Sequence, residues 1–152
     1  MTDPAATDFP IRGALIGVDH GTKRVGLAVS DAEQTMAMPL STIALKSAAH
    51  DAPQFRRVAA DYRAVGWVLG LPLHMQSGEE GTQAAMVRRF GDWLHATTGL
   101  PVRYWDERLS SSAAEAVLWS LGESPSQQKG RLDGLAAQHI LQNYLRDGRT
   151  PT

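Results

Sequence analysis

Three acidic residues that are far apart in the sequence stand where predicted strands end or a predicted helix begins. Asp19 follows the apolar run 14–18, Glu107 follows the predicted strand 102–105, and Asp133 opens the predicted last helix. In sheets with parallel strands, functional groups collect at the carboxyl ends of those strands, so the three side chains could converge. Hard cations such as Mg²⁺ prefer oxygen ligands, and two-metal phosphoryl chemistry needs several carboxylates in one place. The spacing therefore predicts a site for metal-assisted phosphoryl chemistry.

Each acidic residue also has a purely structural interpretation. An aspartate such as Asp19 often starts a turn. Glu107 precedes Arg108 and could form a surface ion pair, which usually contributes little to stability. Asp133 could cap the helix or interact with its dipole. The site is predicted from the combination of the three, not from any one of them.

Basic residues accompany the acidic ones. Lys23 and Arg24 lie in the Gly-containing turn after Asp19 and could neutralise backbone phosphates. Lys129 and Arg131 precede Asp133 and could clamp a nucleic-acid strand from the other side. Both of these residues belong to the segment 123–131, which is polar and contains Pro125 and Gly130. This composition predicts a mobile loop.

The elements that would position these residues can be read from apolar periodicity. Residues 14–18 and 25–29 predict an antiparallel hairpin around a glycine-containing turn, and 39–45 a third strand. Helix 52–64 is predicted with Asp51 as N-cap, Pro53 in its first turn and Gly66 as its stop. Strand 67–69, helix 80–97 ending at Gly99, strand 102–105, a helix after Ser112 and a last helix 133–146 follow. This order predicts an α/β fold with a five-stranded mixed sheet, three antiparallel strands then two parallel, flanked by helices.

Composition narrows the class of protein. The 152 residues suit one domain, predicted over 13–148, with residues 1–12 as a flexible tail. The chain has no cysteine, which excludes disulfides, Cys-ligated zinc and thiol catalysis. No apolar run reaches the roughly 20 residues that span a bilayer, so a cytoplasmic protein without a membrane partner is expected. A net charge of −1 argues against nucleic-acid binding by the whole surface but not by local patches.

Four motifs in this order resemble the YqgF (RuvX) family of the ribonuclease H-like superfamily. They are DHGTKRVGLAVSD, GLPLHMQSGEEG, WDERLSS and LDGLAAQHILQNYL, and the resemblance covers residues 14–145. It implies a ribonuclease H-like fold and a nuclease that resolves Holliday junctions or matures pre-16S ribosomal RNA. It also implies that Asp19, Glu107 and Asp133 are the catalytic residues. The expected partners are precursor rRNA or branched DNA, and ribosomal particles.

The resemblance and the three carboxylates together suggest a two-metal mechanism. Asp19 would bridge two Mg²⁺ or Mn²⁺ ions about 4 Å apart, and Glu107 and Asp133 would each hold one of them. Two positions depart from the family pattern. Family members commonly read LPLNM with an Asp or Asn nearby, whereas this chain has His74 and Gln76 in LPLHMQSG, so His74 is a candidate donor to nucleic acid. Related resolvases carry a further carboxylate on the last helix, where this chain has Ala136 and Ala137.

Two other classes of function remain open at this point. A non-catalytic RNA-binding factor for ribosome assembly could retain the same fold. An actin-like nucleotide-binding fragment would share the Asp-x-Gly-Thr motif that begins at Asp19, although such enzymes usually need about twice this length and a second phosphate loop. The sequence leaves open the choice between RNA and DNA, between endonuclease and exonuclease, and between monomer and dimer.

Overall fold

Six strands and three long helices make up the described part of the chain. The computed structural model describes residues 9–72, 81–106 and 125–148, and of residues 125–133 only the backbone. In chain order the elements are β1 (Ala14–His20), β2 (Arg24–Ser30), β3 (Ala37–Pro39), β4 (Ile43–Ala44), α1 (Ala48–Asp61), β5 (Ala64–Leu71), α2 (Thr82–Thr98), β6 (Val102–Asp106) and α3 (Pro125–Asn143), which continues as a π-helical segment (Tyr144–Gly148). None of the described helices is both long and apolar enough to cross a membrane.

The strands form one mixed sheet. Their order is β3-β2-β1-β5-β6, with the short β4 paired to β2 beside β3. β1, β2, β3 and β4 pair antiparallel, whereas β1, β5 and β6 pair parallel. The carboxyl ends of β1, β5 and β6 therefore meet at one edge of the sheet, which we call the carboxyl edge.

Alternation along the strands sends side chains to two separate cores. On β1, Ile16 and Val18 pack in the core beneath α1 and α2, and Leu15 packs in the core beneath α3. We call these sides the α1/α2 face and the α3 face. The α3-face core also contains Phe9, which belongs to the residues predicted as a terminal tail and is buried.

Helix α3 runs antiparallel to β1. A Cβ on Gly17 would lie 2.7 Å from the Cβ of Leu141, so the carboxyl-terminal half of the helix touches the middle of the strand. Further along the helix, Tyr144 packs edge-on against Phe9, with ring centroids 5.8 Å apart. Earlier in the helix, a Cβ on Gly134 would lie 3.1 Å from the carbonyl oxygen of Leu40. The amino-terminal part of α3 therefore lies toward the carboxyl edge.

The predicted hairpin and mixed sheet are confirmed, but the third strand is interrupted. Residues 39–45 contain the last residue of β3 and the whole of β4, which gives six described strands instead of five. The segment still follows β2, since Leu40 N donates to Leu27 O at 2.7 Å and Leu45 N to Lys23 O at 2.8 Å. Pro39 has no N–H to donate to a continued ladder, which is consistent with the end of β3 at this residue.

Helix α1 starts earlier than predicted. Its N-cap is Ser47, whose side chain accepts a hydrogen bond from His50 N. Asp51, predicted as the cap, is instead buried inside the helix, where its carboxylate accepts from Lys46 N at 3.0 Å. Pro53 consequently lies beyond the first turn. Either Ser47 or Asp51 suited an N-cap, and only the tertiary contacts decided between them.

The predicted stop of this helix was also wrong. α1 ends at Asp61, and Arg63 takes the left-handed conformation with φ 51°. Gly66 lies within β5, where a Cβ would stand 3.0 Å from the ring of Phe9. Gly66 thus makes room for a core ring instead of ending the helix. The stop of α2 at Gly99 is confirmed, since Gly99 has φ 74° and donates to His95 O.

The prediction of a loop over residues 123–131 was wrong, because α3 includes residues 125–131. The helix begins at Pro125, so residues 125–131 form its first turns, and the predicted start at Asp133 was wrong. Proline suits the start of a helix, and glutamine and lysine are good helix formers, so the polar composition did not require a loop. The helix predicted after Ser112 lies outside the described residues.

Candidate active site

Asp19 lies near the carboxyl end of β1 in a row of residues that crosses four strands. It pairs with Gly26 on β2, and the register of β1 with β5 brings it level with Gly70. Gly70 in turn pairs with Trp105 on β6. The half-buried Asp19 therefore has a glycine on each adjacent strand. The residues level with Asp19 on β2 and β5 therefore carry no side chain.

Asp19 and His20 belong to opposite faces of the sheet. Asp19 follows Leu15 and Gly17 at every second position and so shares the α3 face. His20 packs on the other face against Phe90 of α2, with ring centroids 4.6 Å apart. Burial lowers the pKa of His20. Burial therefore favours the neutral form of His20, whose ring packs on the face opposite Asp19.

The backbone of α3 brings position 133 to the level of Asp19. Ala137 contacts Gly17, since a Cβ on Gly17 would lie 2.9 Å from the carbonyl oxygen of Ala137. Position 133 is one turn, about 6 Å, before Ala137 on a helix antiparallel to β1. Asp19 is two residues, about 7 Å, beyond Gly17 along the strand. Along the direction of β1, position 133 of the helix therefore lies at the same level as Asp19.

The end of β6 contains Asp106, but its place in the strand differs from that of Asp19. Asp106 is the last residue of β6, level with Leu71. It alternates with Val102 and Tyr104, which pack with the core of the α1/α2 face. Asp106 thus belongs to the face opposite Asp19. Glu107, the next residue in the sequence, lies outside the described residues, as do Arg108 and His74.

The basic residues of the hairpin divide between the site and the surface. Arg24 opens β2, lies two residues before Gly26 on the same face and is half-buried. Lys23 is exposed in the turn. Lys129 and Arg131 lie on the first turns of α3, and only their backbone is described. Among the described side chains, no three His, Asp or Glu residues gather into a metal-sized group. The triad with Glu107 and Asp133 therefore stays a prediction.

Asp31, the other carboxylate of the hairpin motif, has a structural role. It lies just after β2, at the edge opposite the carboxyl edge, and accepts hydrogen bonds from Thr35 Oγ1 at 2.6 Å, Thr35 N at 2.7 Å and Met36 N at 3.0 Å. The hydroxyl and the two amides lower its pKa to about 2. The charged carboxylate of Asp31 therefore stabilises the turn that leads into β3.

Sequence reasoning overlooked the two glycines beside Asp19. Gly26 lies within the motif DHGTKRVGLAVSD and Gly70 opens the motif GLPLHMQSGEEG. Strand alternation would have put Gly26 on the face of Arg24 and Ala28, but the register that matches Gly26 and Gly70 with Asp19 is a tertiary property. Trp105 packs edge-on against Tyr144 on this face, with ring centroids 5.8 Å apart.

Comparison with known proteins gives consistent results across nearly the whole chain. The family model described as "RuvX: Holliday junction resolvase" matches residues 13–147. A "Putative pre-16S rRNA nuclease" of Rhodopseudomonas palustris (strain TIE-1) is 43% identical over 141 residues, which cover 93% of this chain and 88% of the relative. A protein of the same name from Chloroflexus aggregans is 43% identical over 137 residues, covering 90% of this chain and 96% of the relative.

Solved structures support the same fold. The RuvC of T. thermophilus in complex with a Holliday junction substrate superposes with a TM-score of 0.56 at 17% identity, covering 90% of this chain and 97% of that one. The fowlpox virus resolvase bound to Holliday junction DNA gives a TM-score of 0.52 at 12% identity, covering 88% of this chain and 97% of the resolvase. At these identities the likeness concerns the fold alone.

Proposed function

Because the chain belongs to the RuvX family of Holliday junction resolvases, we propose that it is a metal-dependent nuclease that hydrolyses phosphodiester bonds. The observation that carries the proposal is the position of Asp19. Asp19 lies at the carboxyl edge, with a glycine level with it on each adjacent strand. It belongs to the face covered by α3, and position 133 of that helix lies at the level of Asp19. This is the edge where parallel sheets usually hold their functional groups.

We assign the catalytic carboxylates to Asp19, Glu107 and Asp133. The alternation of β6 favours Glu107 over Asp106, because Asp106 shares the face of Val102 and Tyr104. A continued strand would return the next side chain to the face of Asp19. The antiparallel course of α3 supports Asp133, which is one turn before Ala137.

These residues suit divalent cations of the magnesium type. The three carboxylates form an all-oxygen donor set, and the chain has no cysteine to favour zinc. Asp19, Glu107 and Asp133 would hold Mg²⁺ or Mn²⁺, most simply as two ions. When bound, two such ions supply a hydroxide from water and neutralise the leaving oxygen.

Basic residues around the proposed site, together with His74, would hold and orient the nucleic acid. Arg24 lies on the face of Asp19, diagonally across the β1–β2 ladder, where a guanidinium can contact a phosphate beside the scissile one. Lys23 extends this positive charge to the exposed turn, and Lys129 and Arg131 add charge on the first turns of α3. His74 and Arg108 complete the proposed nucleic-acid contacts on grounds of sequence.

The substrate we favour is the precursor of 16S rRNA, which the relatives of R. palustris and C. aggregans carry in their names. Ribosomal particles in the cytoplasm would then be its partners. A four-way DNA junction is the second candidate, favoured by the description of the family model. RNA trimming needs one active site, whereas symmetric junction cleavage calls for two, so the substrate also bears on the oligomeric state.

One experiment separates these possibilities. A precursor 16S rRNA fragment and a four-way DNA junction are incubated at equal enzyme concentration with Mg²⁺, in parallel with Asp19→Asn to exclude a contaminating nuclease. We expect cleavage of the RNA by wild type only. RNA binding without cleavage of either substrate would favour the non-catalytic assembly factor. Hydrolysis of added ATP without any nuclease activity would favour the actin-like alternative.

A further inference from the structure

Three aromatic rings form a row that leads from the end of β1 across α2. The ring of His20 lies 4.6 Å from that of Phe90 at an angle of 36°, and Phe90 lies 5.5 Å from Trp93 at 32°. These are tilted, nearly stacked pairs. Phe55 supports them from below, edge-on to Phe90 and Trp93 and completely buried. Phe90 and Trp93 are half-buried, so the row has an accessible side.

Phe90 and Trp93 form one wall of a cavity of about 240 Å³. The other lining residues are the segment 45–48 and Asp51 at the start of α1. This volume is below the roughly 300–1,000 Å³ of sites for drug-sized ligands, which suits a single ring system. An aromatic wall of this kind offers a planar, apolar surface on which another ring can stack.

The cavity lies at the same edge of the sheet as Asp19. Leu45 N, at its rim, donates to the carbonyl oxygen of Lys23 in the turn that joins β1 and β2. His20, the first ring of the row, is the residue after Asp19 and faces the other side of the sheet. The His20–Phe90 and Phe90–Trp93 contacts connect this edge to the cavity. A nucleic-acid strand that passes over the carboxyl edge at Asp19 would therefore reach the cavity.

The charges around the cavity favour a polyanion. Lys46 lines it and is exposed, and the exposed Lys23 lies across the hydrogen bond from Leu45. The one carboxylate in the lining, Asp51, is buried and already accepts hydrogen bonds from Lys46 N and from the His50 ring. Two lysines at the rim can contact phosphates while the aromatic wall holds a base.

We propose that this cavity seats one unpaired base of a single-stranded RNA whose neighbouring phosphate lies at Asp19. The inference rests on the proposed nuclease function and deepens it, since it predicts a preference for substrates with an unpaired base beside the scissile bond. Unpaired bases splayed onto aromatic side chains are the usual targets of RNA recognition, whereas duplex RNA keeps its bases stacked. Lys23 and Lys46 would hold the phosphates that flank the base.

The test compares Trp93→Leu with Trp93→Phe in an Asp19→Asn background that does not cleave. Binding of a single-stranded oligoribonucleotide and of the same sequence as a duplex is measured by fluorescence anisotropy. We expect Trp93→Leu to weaken single-strand binding about 5- to 150-fold, the range for loss of one base–aromatic stack. Duplex binding should not change, and Trp93→Phe should retain most of the affinity. Tyr62→Leu, which alters an exposed aromatic residue at the opposite edge, should have no effect.

A scan with single abasic positions makes the test independent of folding. One position should weaken binding to the Asp19→Asn protein as much as Trp93→Leu does, and removing that base should cost the Trp93→Leu protein nothing further. Lys46→Ala, a surface change, should lower the salt dependence of binding. If wild type cleaves RNA but neither Trp93→Leu nor any abasic position affects binding, the base site is wrong and the nuclease stands. If single-stranded RNA is neither bound nor cleaved, the base site is wrong, and the nuclease proposal is wrong as well only if neither the precursor rRNA fragment nor the DNA junction is cleaved.

Discussion

Gly17 of β1 lies directly against Leu141 of α3, with room for a hydrogen atom and no more. A Cβ at position 17 would lie 2.7 Å from the Cβ of Leu141 and 2.9 Å from the carbonyl oxygen of Ala137. Cβ atoms in proteins do not approach other heavy atoms this closely, so any larger residue moves the helix off the strand. This contact sets the distance between the element that carries Asp19 and the element that carries Asp133.

Gly17→Ala should therefore impair activity as well as stability. We expect a loss of about 1–3 kcal/mol in the free energy of unfolding, as for other overpacked cores, together with a marked fall in cleavage rate. Urea unfolding and a cleavage assay measure the two effects. Gly99→Ala is the matched control, because its φ of 74° makes alanine strained while nothing lies within 4 Å of the new Cβ. Equal activity of the two variants at equal stability would contradict the role of Gly17 in positioning α3.

Asp19→Asn should separate catalysis from folding. The amide retains the shape of the side chain but removes the charge that would hold a cation, so cleavage should fall about 10³-fold or more. Stability without metal should hold or rise, because clustered carboxylates repel one another. Mg²⁺ or Mn²⁺ should raise the Tm of wild type more than that of the variant, and excess chelator should abolish wild-type cleavage. A variant that melts far below metal-free wild type would make Asp19 a structural residue.

Glu107→Gln and Asp106→Asn form a matched pair that tests the alternation of β6. We expect Glu107→Gln to abolish cleavage and Asp106→Asn to retain most of it, because Asp106 shares the face of Tyr104 and not that of Asp19. Single-turnover cleavage with Mg²⁺ compares the two directly. The reverse order of effects would show that Asp106 is the second carboxylate.

Asp31 should make a pH-dependent contribution to stability. Its pKa of about 2 in the folded state lies below the value of about 3.9 expected in the unfolded chain. The contribution is therefore complete above pH 4 and is lost as the pH falls from about 4 to about 2. Asp31→Asn should be less stable than wild type at pH 7, with the difference disappearing toward pH 2. Asp61→Asn removes the same charge at an exposed position, and an identical pH profile for it would contradict this explanation.

Lys129 and Arg131 should contact substrate although they lie on a helix and not on a loop. Replacing both with alanine should weaken binding and reduce the salt slope by about 0.7–0.9 for each phosphate contact that is lost. Metal-induced stabilisation should barely change. Arg56→Ala with Arg57→Ala, on the exposed side of α1, is the control for general charge. Unchanged affinity and salt slope in the Lys129 and Arg131 double variant would exclude a clamp at the start of α3.

The sequence alone was sufficient for features that depend on local patterns. The β1–β2 hairpin follows from alternating apolar residues around a glycine-containing turn, and Gly99 ends α2 because it can adopt a positive φ. The same patterns put Asp19 at a strand end and so identified the candidate site. Local chemistry could not choose between Ser47 and Asp51 as a helix cap, because both side chains can accept the required hydrogen bond.

The tertiary structure alone decided which groups share a face and an edge. Alternation separates Asp19 from His20, but only packing shows that Asp19 faces α3 and that His20 faces Phe90. The sequence also did not reveal that Gly26 and Gly70 flank Asp19, since strand register depends on how whole apolar faces are buried together. The direction of α3 also depends on tertiary packing, because the helix and the sheet bury each other's apolar surfaces. Gly17 is a point of close approach between the two.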